Sequence, residues 1–393
     1  MPRSESRYGA YLETRDRDGL ARALTQVEVR DARTIRIGDT AYVNLASNDY
    51  LALRFHPALI ERARAWAEEY GMGSGASRLV TGNLNLFAGL EAKVAKLKGK
   101  PAALIMASGF QANASVLQAL FDRSVLGAEP LVFSDRLNHA SIHFGCAASG
   151  AREMRYHHGD AAHLGVLLSQ YQGDERPKFV LSESVFSMDG DLAPLTEIGR
   201  LAREHDAMLI VDDAHATGIL GEGGRGLSGE ADVVIGTFSK ALGGFGAYVG
   251  CSPTLRAYLI NRCSGLIYST ALPPPVLGAI DAGLDLVPSL GAERAHVADL
   301  AERFRLGARA LGFDTGASTT QIVPLIAGPN HVALTLSKRL REAGYFATAI
   351  RPPTVPAATA RLRLAFTAAH TGADIDDLLS TLEAPALPRS ATA

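Results

Sequence analysis

Between roughly residues 57 and 285, short apolar runs alternate with longer stretches whose apolar positions recur every three or four residues. The runs are Ala102–Met106 and residues 131–133, 179–181, 208–211 and 233–235. Runs so short and so evenly apolar predict strands buried on both faces; the stretches between them carry the period of helices. Strands alternating with helices predict an α/β fold with a mainly parallel central sheet and helices on both faces. Residues 1–48 read as a separate N-terminal segment, a charged helix followed by a hairpin that contains the alternating Thr34–Ile37. Residues 49–285 then form a large domain. Residues 286–393 form a smaller α+β domain that opens on an amphipathic stretch at 295–311 and ends in a tail, 384–393, expected to be disordered.

One glycine pattern invites a nucleotide-binding reading and fails it. Gly71-Met-Gly-Ser-Gly-Ala76 fits G-x-G-x-x-A, and Glu91 follows about 20 residues later. That fingerprint needs a strand before its glycines, whereas residues 58–70 carry a helical pattern.

Composition narrows the classes. A chain of 393 residues, 47% hydrophobic, can bury a large core. Its net charge of −2 offers no electrostatic case for nucleic acid or an anionic membrane. No apolar run reaches the ~18 residues a membrane span needs. Cys146, Cys251 and Cys263 lack metal-ligand spacing and predict a reducing compartment, so the protein is expected in the cytoplasm with no metal. The charged N-terminus has no apolar core and does not read as a signal peptide.

The chemistry centres on Lys240, in Val233-Val-Ile-Gly-Thr-Phe-Ser-Lys-Ala-Leu-Gly-Gly244. A lysine just past a buried strand is poorly solvated, and burial favours its neutral, nucleophilic amine. Such amines form Schiff bases with aldehydes, of which pyridoxal phosphate (PLP) is the commonest partner. A lone Ser-Lys would more often be a surface pair. Upstream, however, Asp212 ends the apolar run 208–211, where ligand groups gather in open α/β sheets. A carboxylate there can pair with a protonated pyridine nitrogen, and His215, three residues on, can reach the same ring. An aspartate alone would be an ordinary turn or cap residue; the three together are far less common.

In this company the chain resembles the α-oxoamine synthase family of fold-type I PLP-dependent transferases. The matching segments are Ser47-Asn-Asp-Tyr-Leu51, Gly73-Ser-Gly-Ala-Ser-Arg-Leu-Val-Thr-Gly82, Ser108-Gly-Phe110, Asn138-His-Ala-Ser141 and Phe186-Ser-Met-Asp-Gly-Asp191. They continue through Val211-Asp-Asp-Ala-His215, Thr237-Phe-Ser-Lys240, Tyr268-Ser-Thr-Ala-Leu-Pro-Pro274, Pro352-Pro-Thr-Val-Pro356 and Arg361-Leu-Arg-Leu364.

The resemblance implies roles. Lys240, His139, Asp212 and His215 would be catalytic, with His139 stacked on the cofactor ring. Ser108, Gly109, Phe110 and Thr237 would hold the PLP phosphate, and Glu183 and Ser187 would lie near the cofactor and the reacting carbons. Ser269 and Thr270 would reach the phosphate of a neighbouring subunit, making the protein a homodimer with shared active sites. Asn48, Ser77 and Arg363 would bind substrate. Strict alternation places Arg361 and Arg363 on one face of a strand, and the residues alone favour a solvated face; the resemblance selects Arg363 as the fork that grips a carboxylate.

The form Ser77-Arg-Leu-Val-Thr-Gly82 resembles the branch that condenses L-alanine with a pimeloyl thioester, carried by CoA or by a carrier protein, in biotin formation. Two departures keep other acyl donors and amino acids open, as in the serine palmitoyltransferase, 2-amino-3-ketobutyrate ligase and signal-molecule branches. They are Gly159, where the family usually has asparagine, and the unusual His143. A PLP aminotransferase shares the fold and the lysine.

Overall fold

The computed structural model describes residues 3–383, so the tail 384–393 lies outside the described residues. Two compact units emerge, one of Asn48–Ser187 with Asp191–Ala295, the other of Met1–Ser47, Met188–Gly190 and His296–Ala393.

The larger unit is built on a seven-stranded sheet in the order Ala102–Met106, Ala247–Cys251, Val233–Thr237, Ala207–Asp212, Lys178–Glu183, Leu131–Asp135, Glu153–Tyr156. Ala247–Cys251 runs antiparallel to both of its neighbours, and the other strands share one direction. The exception has a physical cause. Only residues 238–246 connect Val233–Thr237 to Ala247–Cys251, and a parallel return needs a crossover of about a dozen residues or more. The chain therefore turns back as a hairpin. Phe238 N–H bonds to Gly246 O at 3.0 Å and Gly244 N–H to Phe238 O at 2.9 Å, and Lys240 rides on this closed loop.

Helices Gly109–Leu120, Ala140–Ser149 and Pro253–Arg262 cover one sheet face. Val116, Leu117, Ile142 and Leu259 meet Leu104, Val132, Leu181, Ile210 and Ile235 there. The alternate residues Phe133, Val180, Leu209, Val211 and Val234 are also buried, so both faces are covered. Helix Pro57–Tyr70 precedes Gly71, which removes the nucleotide reading.

The smaller unit holds helix Arg3–Arg17, a four-stranded sheet and a three-stranded antiparallel sheet. In the stretch read as the N-terminal segment 1–48, Thr40–Asn44 pairs in parallel with Tyr345–Phe346, joining the N-terminal hairpin to the C-terminal elements. Leu45, Phe304, Leu325, Leu336, Leu362, Phe366 and Leu378 form its core. Every residue of strand Ala360–Ala365 is buried, so neither arginine lies on a solvated face.

His370, 1% exposed, is a buried neutral histidine in this unit. Its Nδ1 accepts the Thr367 N–H at 3.1 Å and its Nε2 donates to Asn44 O at 3.2 Å. Burial depresses its pKa to about 4; Asp374 and the Asn44 hydrogen bond oppose, while Arg33 and His296 reinforce. A depressed histidine takes up its proton first in the unfolded chain. Its contribution is complete above about pH 6.5 and is lost as the pH falls toward about 4, up to about 3 kcal/mol. In urea unfolding, His370→Gln is expected to flatten the loss of stability between about pH 7 and about pH 5, by about 2 kcal/mol relative to the parent chain. Parallel pH profiles for the two proteins would refute this account.

Candidate active site

The parallel register sets two acids side by side. Glu183 and Asp212 are cross-strand partners at the carboxyl ends of Lys178–Glu183 and Ala207–Asp212, with Ile235 opposite Asp212 on the other side. Asp212 is clamped on both oxygens. Asn113 Nδ2 donates to Oδ2 at 2.7 Å and the Ala214 N–H to Oδ1 at 2.9 Å. The next residue, Asp213, is fully buried; it pairs with Lys98 and accepts the Ser184 hydroxyl at 2.5 Å, which anchors the chain that presents Asp212.

His215 follows on the same loop. Its Nδ1 lies 2.7 Å from the Tyr50 hydroxyl, which donates to Asn48 Oδ1 at 3.1 Å. The Tyr50 oxygen therefore accepts from His215 Nδ1–H, and one hydrogen-bonded chain orients His215 and Asn48.

Glu183, His139 and Lys240 feel one another. Glu183 is 3% exposed, and its Oε1 has no hydrogen-bond partner among the described residues. Burial holds its carboxyl well above the ordinary pKa, the charge of Asp212 adds to this, and Lys240 opposes it. His139 is solvent-accessible but crowded by protein. That crowding is the chief cause of its lowered pKa; Lys240 and His143 act in the same sense and Asp212 against. Lys240 itself is half-buried, on the loop that follows Val233–Thr237.

Helix Gly109–Leu120 points its N-terminus toward the end of Val233–Thr237: a Cβ on Gly109 would sit 3.9 Å from Thr237 Cβ. Ser108 caps this helix through Gln111 N–H at 3.2 Å, leaving the first-turn N–H groups directed outward, a setting suited to phosphate. Thr237 donates to Gly246 O at 2.7 Å, and Ser239 N–H donates to its oxygen at 3.1 Å. The Phe110 side chain is half-exposed, its ring 5.4 Å from that of Phe144, so its backbone rather than its ring suits the phosphate.

Ser77 and Thr270 form a second group, paired as an antiparallel bridge, with Ala271 N–H bonded to Ala76 O at 3.0 Å; Ser269 adjoins them. Ser187 lies half-buried on the loop after Glu183. In the smaller unit the two arginines part company. Arg361 pairs with Asp189 and bonds to Thr359 O at 3.1 Å, whereas Arg363 is buried opposite Pro324 and Thr348 in the sheet register.

These residues suit a pyridine ring bearing an aldehyde and a phosphate. A clamped carboxylate, an amine on a tight loop, an imidazole and a helix N-terminus gather in one unit, with an unsatisfied buried acid oxygen among them. A family model described as aminotransferase class I and II matches residues 40–382.

The chain belongs to the class I and II aminotransferase family.

Within that family, the 8-amino-7-oxononanoate synthase of Gluconacetobacter diazotrophicus is 53% identical over 388 residues, 98% of each chain. Among solved structures, serine palmitoyltransferase with its PLP internal aldimine superposes at a TM-score of 0.88 and 27% identity over 96% of each chain. The 8-amino-7-oxononanoate synthase of Francisella tularensis superposes at 0.74 and 27% identity, covering 87% of this chain and 97% of that one. The resemblance to fold-type I synthases seen in the motifs agrees with all three.

Sequence reasoning passed over Asn113, Ser141 and Tyr50. Asn113 had a visible signal, a polar residue in the apolar register of Gly109–Leu120 with Leu117 and Leu120. Tyr50 and Ser141 stood inside matched segments, yet nothing in their type marked them.

Proposed function

We propose that this protein condenses L-alanine with a pimeloyl thioester, of CoA or a carrier protein, releasing CO2 and free thiol and giving 8-amino-7-oxononanoate for biotin formation. The observation that carries this reading is the gathering of Asp212, Glu183, His139 and Lys240 at the strand ends, in a chain related over its full length to named synthases. The family description alone would also suit an aminotransferase; the relatives' names favour the synthase.

When bound, PLP supplies an electron sink for the alanine Cα. The residues of this chain do the rest. Asp212 would hold the ring nitrogen, with His215 and His139 as the imidazoles beside the ring. The first turn after Ser108, with Thr237, would hold the phosphate. Lys240 would be the amine that binds the aldehyde and would move the proton at the alanine Cα. Glu183 and Ser187 would lie near the cofactor and the reacting carbons. The motif resemblance supports Arg363 and Asn48 as the grip on the alanine carboxylate, and Ser77 as a substrate contact. It also supports a homodimer in which Ser269 and Thr270 complete the partner's phosphate site. Among the described residues no helix is long and apolar enough to cross a membrane, and the proposed compartment is the cytoplasm.

A panel of pimeloyl, short-chain and long-chain thioesters with L-alanine, glycine and L-serine tests the assignment, scored by free thiol and product mass. Alanine with the pimeloyl thioester is expected to dominate. Turnover confined to serine with long chains would move the chain to the palmitoyltransferase branch, and amino transfer without thiol release would make it an aminotransferase.

The arginines give a second test. Arg363→Ala should raise the KM for alanine about 100-fold with cofactor content unchanged, because a carboxylate loses its charged fork. Arg363→Lys should recover part of this, since an ammonium lacks the planar fork. Arg361→Ala should instead lower the melting temperature with KM near normal, because Asp189 loses its partner. The reverse pattern would exchange the two roles.

A further inference from the structure

We propose that Asn113 is a positioning residue whose single amide nitrogen orients the Asp212 carboxylate and, through the Ser141 hydroxyl, holds His139 with its proton on Nε2. The proposal rests on the reading of Asp212 and His139 as the two groups that flank the cofactor ring.

Asn113 is 2% exposed. Its Nδ2 donates one hydrogen to Asp212 Oδ2 at 2.7 Å and the other to Ser141 Oγ at 2.9 Å. The amide cannot be turned over, because its oxygen would then face a carboxylate. Ser141 Oγ thus receives a hydrogen bond, and its own proton is left for His139 Nδ1, 2.7 Å away. The Ser141 N–H also points at Nδ1, at 3.3 Å. A nitrogen that accepts two hydrogen bonds carries no proton, so the neutral ring bears its proton on Nε2. Each donor in the chain has one acceptor: Asn113 to Asp212, Asn113 to Ser141, Ser141 to His139.

The helices make this geometry possible. Gly145 lies one turn beyond Ser141, and a Cβ there would fall 2.8 Å from Asn113 O and 2.9 Å from Leu117 Cβ. A glycine is therefore what lets Ala140–Ser149 approach Gly109–Leu120 closely enough to set Ser141 over the Asn113 amide. A buried amide costs stability unless its donors are used. Here both are used, and both go to groups at the candidate site rather than to the surrounding core.

An aspartate at position 113 would reverse the chain. Set against Asp212, it would carry a proton and donate it to that carboxylate, which leaves its oxygen to accept from Ser141, and the Ser141 oxygen would then accept from a protonated His139. The other charged groups acting on His139 are Asp212, Lys240 and His143; Lys240 and His143 have no bond to residue 113 in this chain of donors, and Asp212 keeps a donor, now the O–H of the new carboxyl in place of the amide. The experiment is a histidine-selective 15N NMR titration of the cofactor-free protein. In the parent chain His139 should be unprotonated at Nδ1 and titrate below the ordinary histidine range. Asn113→Asp should move that titration upward by about one pH unit or more.

Ser141→Ala supplies the sign test. In the parent background it should raise the His139 pKa, since a donor to the neutral ring is lost. In the Asn113→Asp background it should lower it, since an acceptor from the charged ring is lost. Equal signs in the two backgrounds, or a His139 titration indifferent to both changes, would overturn the proposal. Should Asn113→Asp fail to fold, Ser141→Ala alone still decides: a rise supports the chain of donors and no change refutes it. With PLP added, Asn113→Ala should cost about 10- to 100-fold in kcat and shift the pH midpoint of the cofactor absorbance, with cofactor still bound. A parent protein that takes up no chromophore would defeat the PLP reading, while the His139 titration would still judge Asn113.

Discussion

Replacing Lys240 by alanine is expected to lower turnover by about 10³- to 10⁴-fold and to abolish the cofactor adduct that borohydride fixes to the chain. General acid–base help from a placed group is worth about 10²- to 10⁴-fold, and Lys240 is asked for this as well as for the covalent bond, so the upper range applies. The fold should survive. Lys240 is half-buried on a hairpin whose main-chain bonds do not involve its side chain, and Asp212 keeps its Asn113 and Ala214 partners without it. Loss of the lysine charge should also let His139 and Glu183 both titrate higher, because Lys240 lowers both. Steady-state kinetics and mass spectrometry of the reduced protein decide the matter. An adduct on another lysine, or turnover within tenfold of the parent, would remove Lys240 from the centre of the site.

Asp212→Asn should cost about 10²-fold in kcat while cofactor still binds, though less tightly. Two effects add. The amide carries no charge with which to hold a protonated ring nitrogen, and a hydrogen bond to a charged group is worth roughly 1.5–3 kcal/mol. The substitution is also not neutral to its surroundings. Both carboxylate oxygens already meet donors, Asn113 Nδ2 and Ala214 N–H, and the new NH2 must confront one of them. The measurement is kcat together with cofactor bound per chain. Undiminished turnover would show that another group protonates the ring.

Much of the larger unit could be read from hydrophobic pattern, since strands buried on both faces are continuous apolar runs. Ala247–Cys251 escaped because glycines crowd it, at 243, 244, 246 and 250, and weaken a strand signal. Its reversed direction is a matter of loop length, which periodicity does not encode. Glu153–Tyr156 escaped for another reason: it is an edge strand, partly exposed, with charges at Glu153 and Arg155. The arginines of Ala360–Ala365 show a limit of alternation. Period two tells which residues share a face but not what covers it, and here Asp189, far away in sequence, takes Arg361. The placement of Asp212 at a strand end, with His215 and Lys240 on the loops that follow two strands, was legible from spacing. His139 and Glu183 needed the resemblance, and their protonation states needed the burial and charges that only the folded chain brings together.

The sheet order carries a consequence for synthesis. Ala102–Met106 is an edge strand whose one neighbour is Ala247–Cys251. At roughly 5–20 residues per second, the ribosome delivers that neighbour about 7–30 s after the edge strand has emerged. For that interval the apolar segment Ala-Ala-Leu-Ile-Met has no pairing partner, and an unpaired apolar edge is a template for association between chains. Chaperone supply during translation, rather than the equilibrium stability of the finished protein, should therefore govern how much active enzyme a cell obtains from this gene.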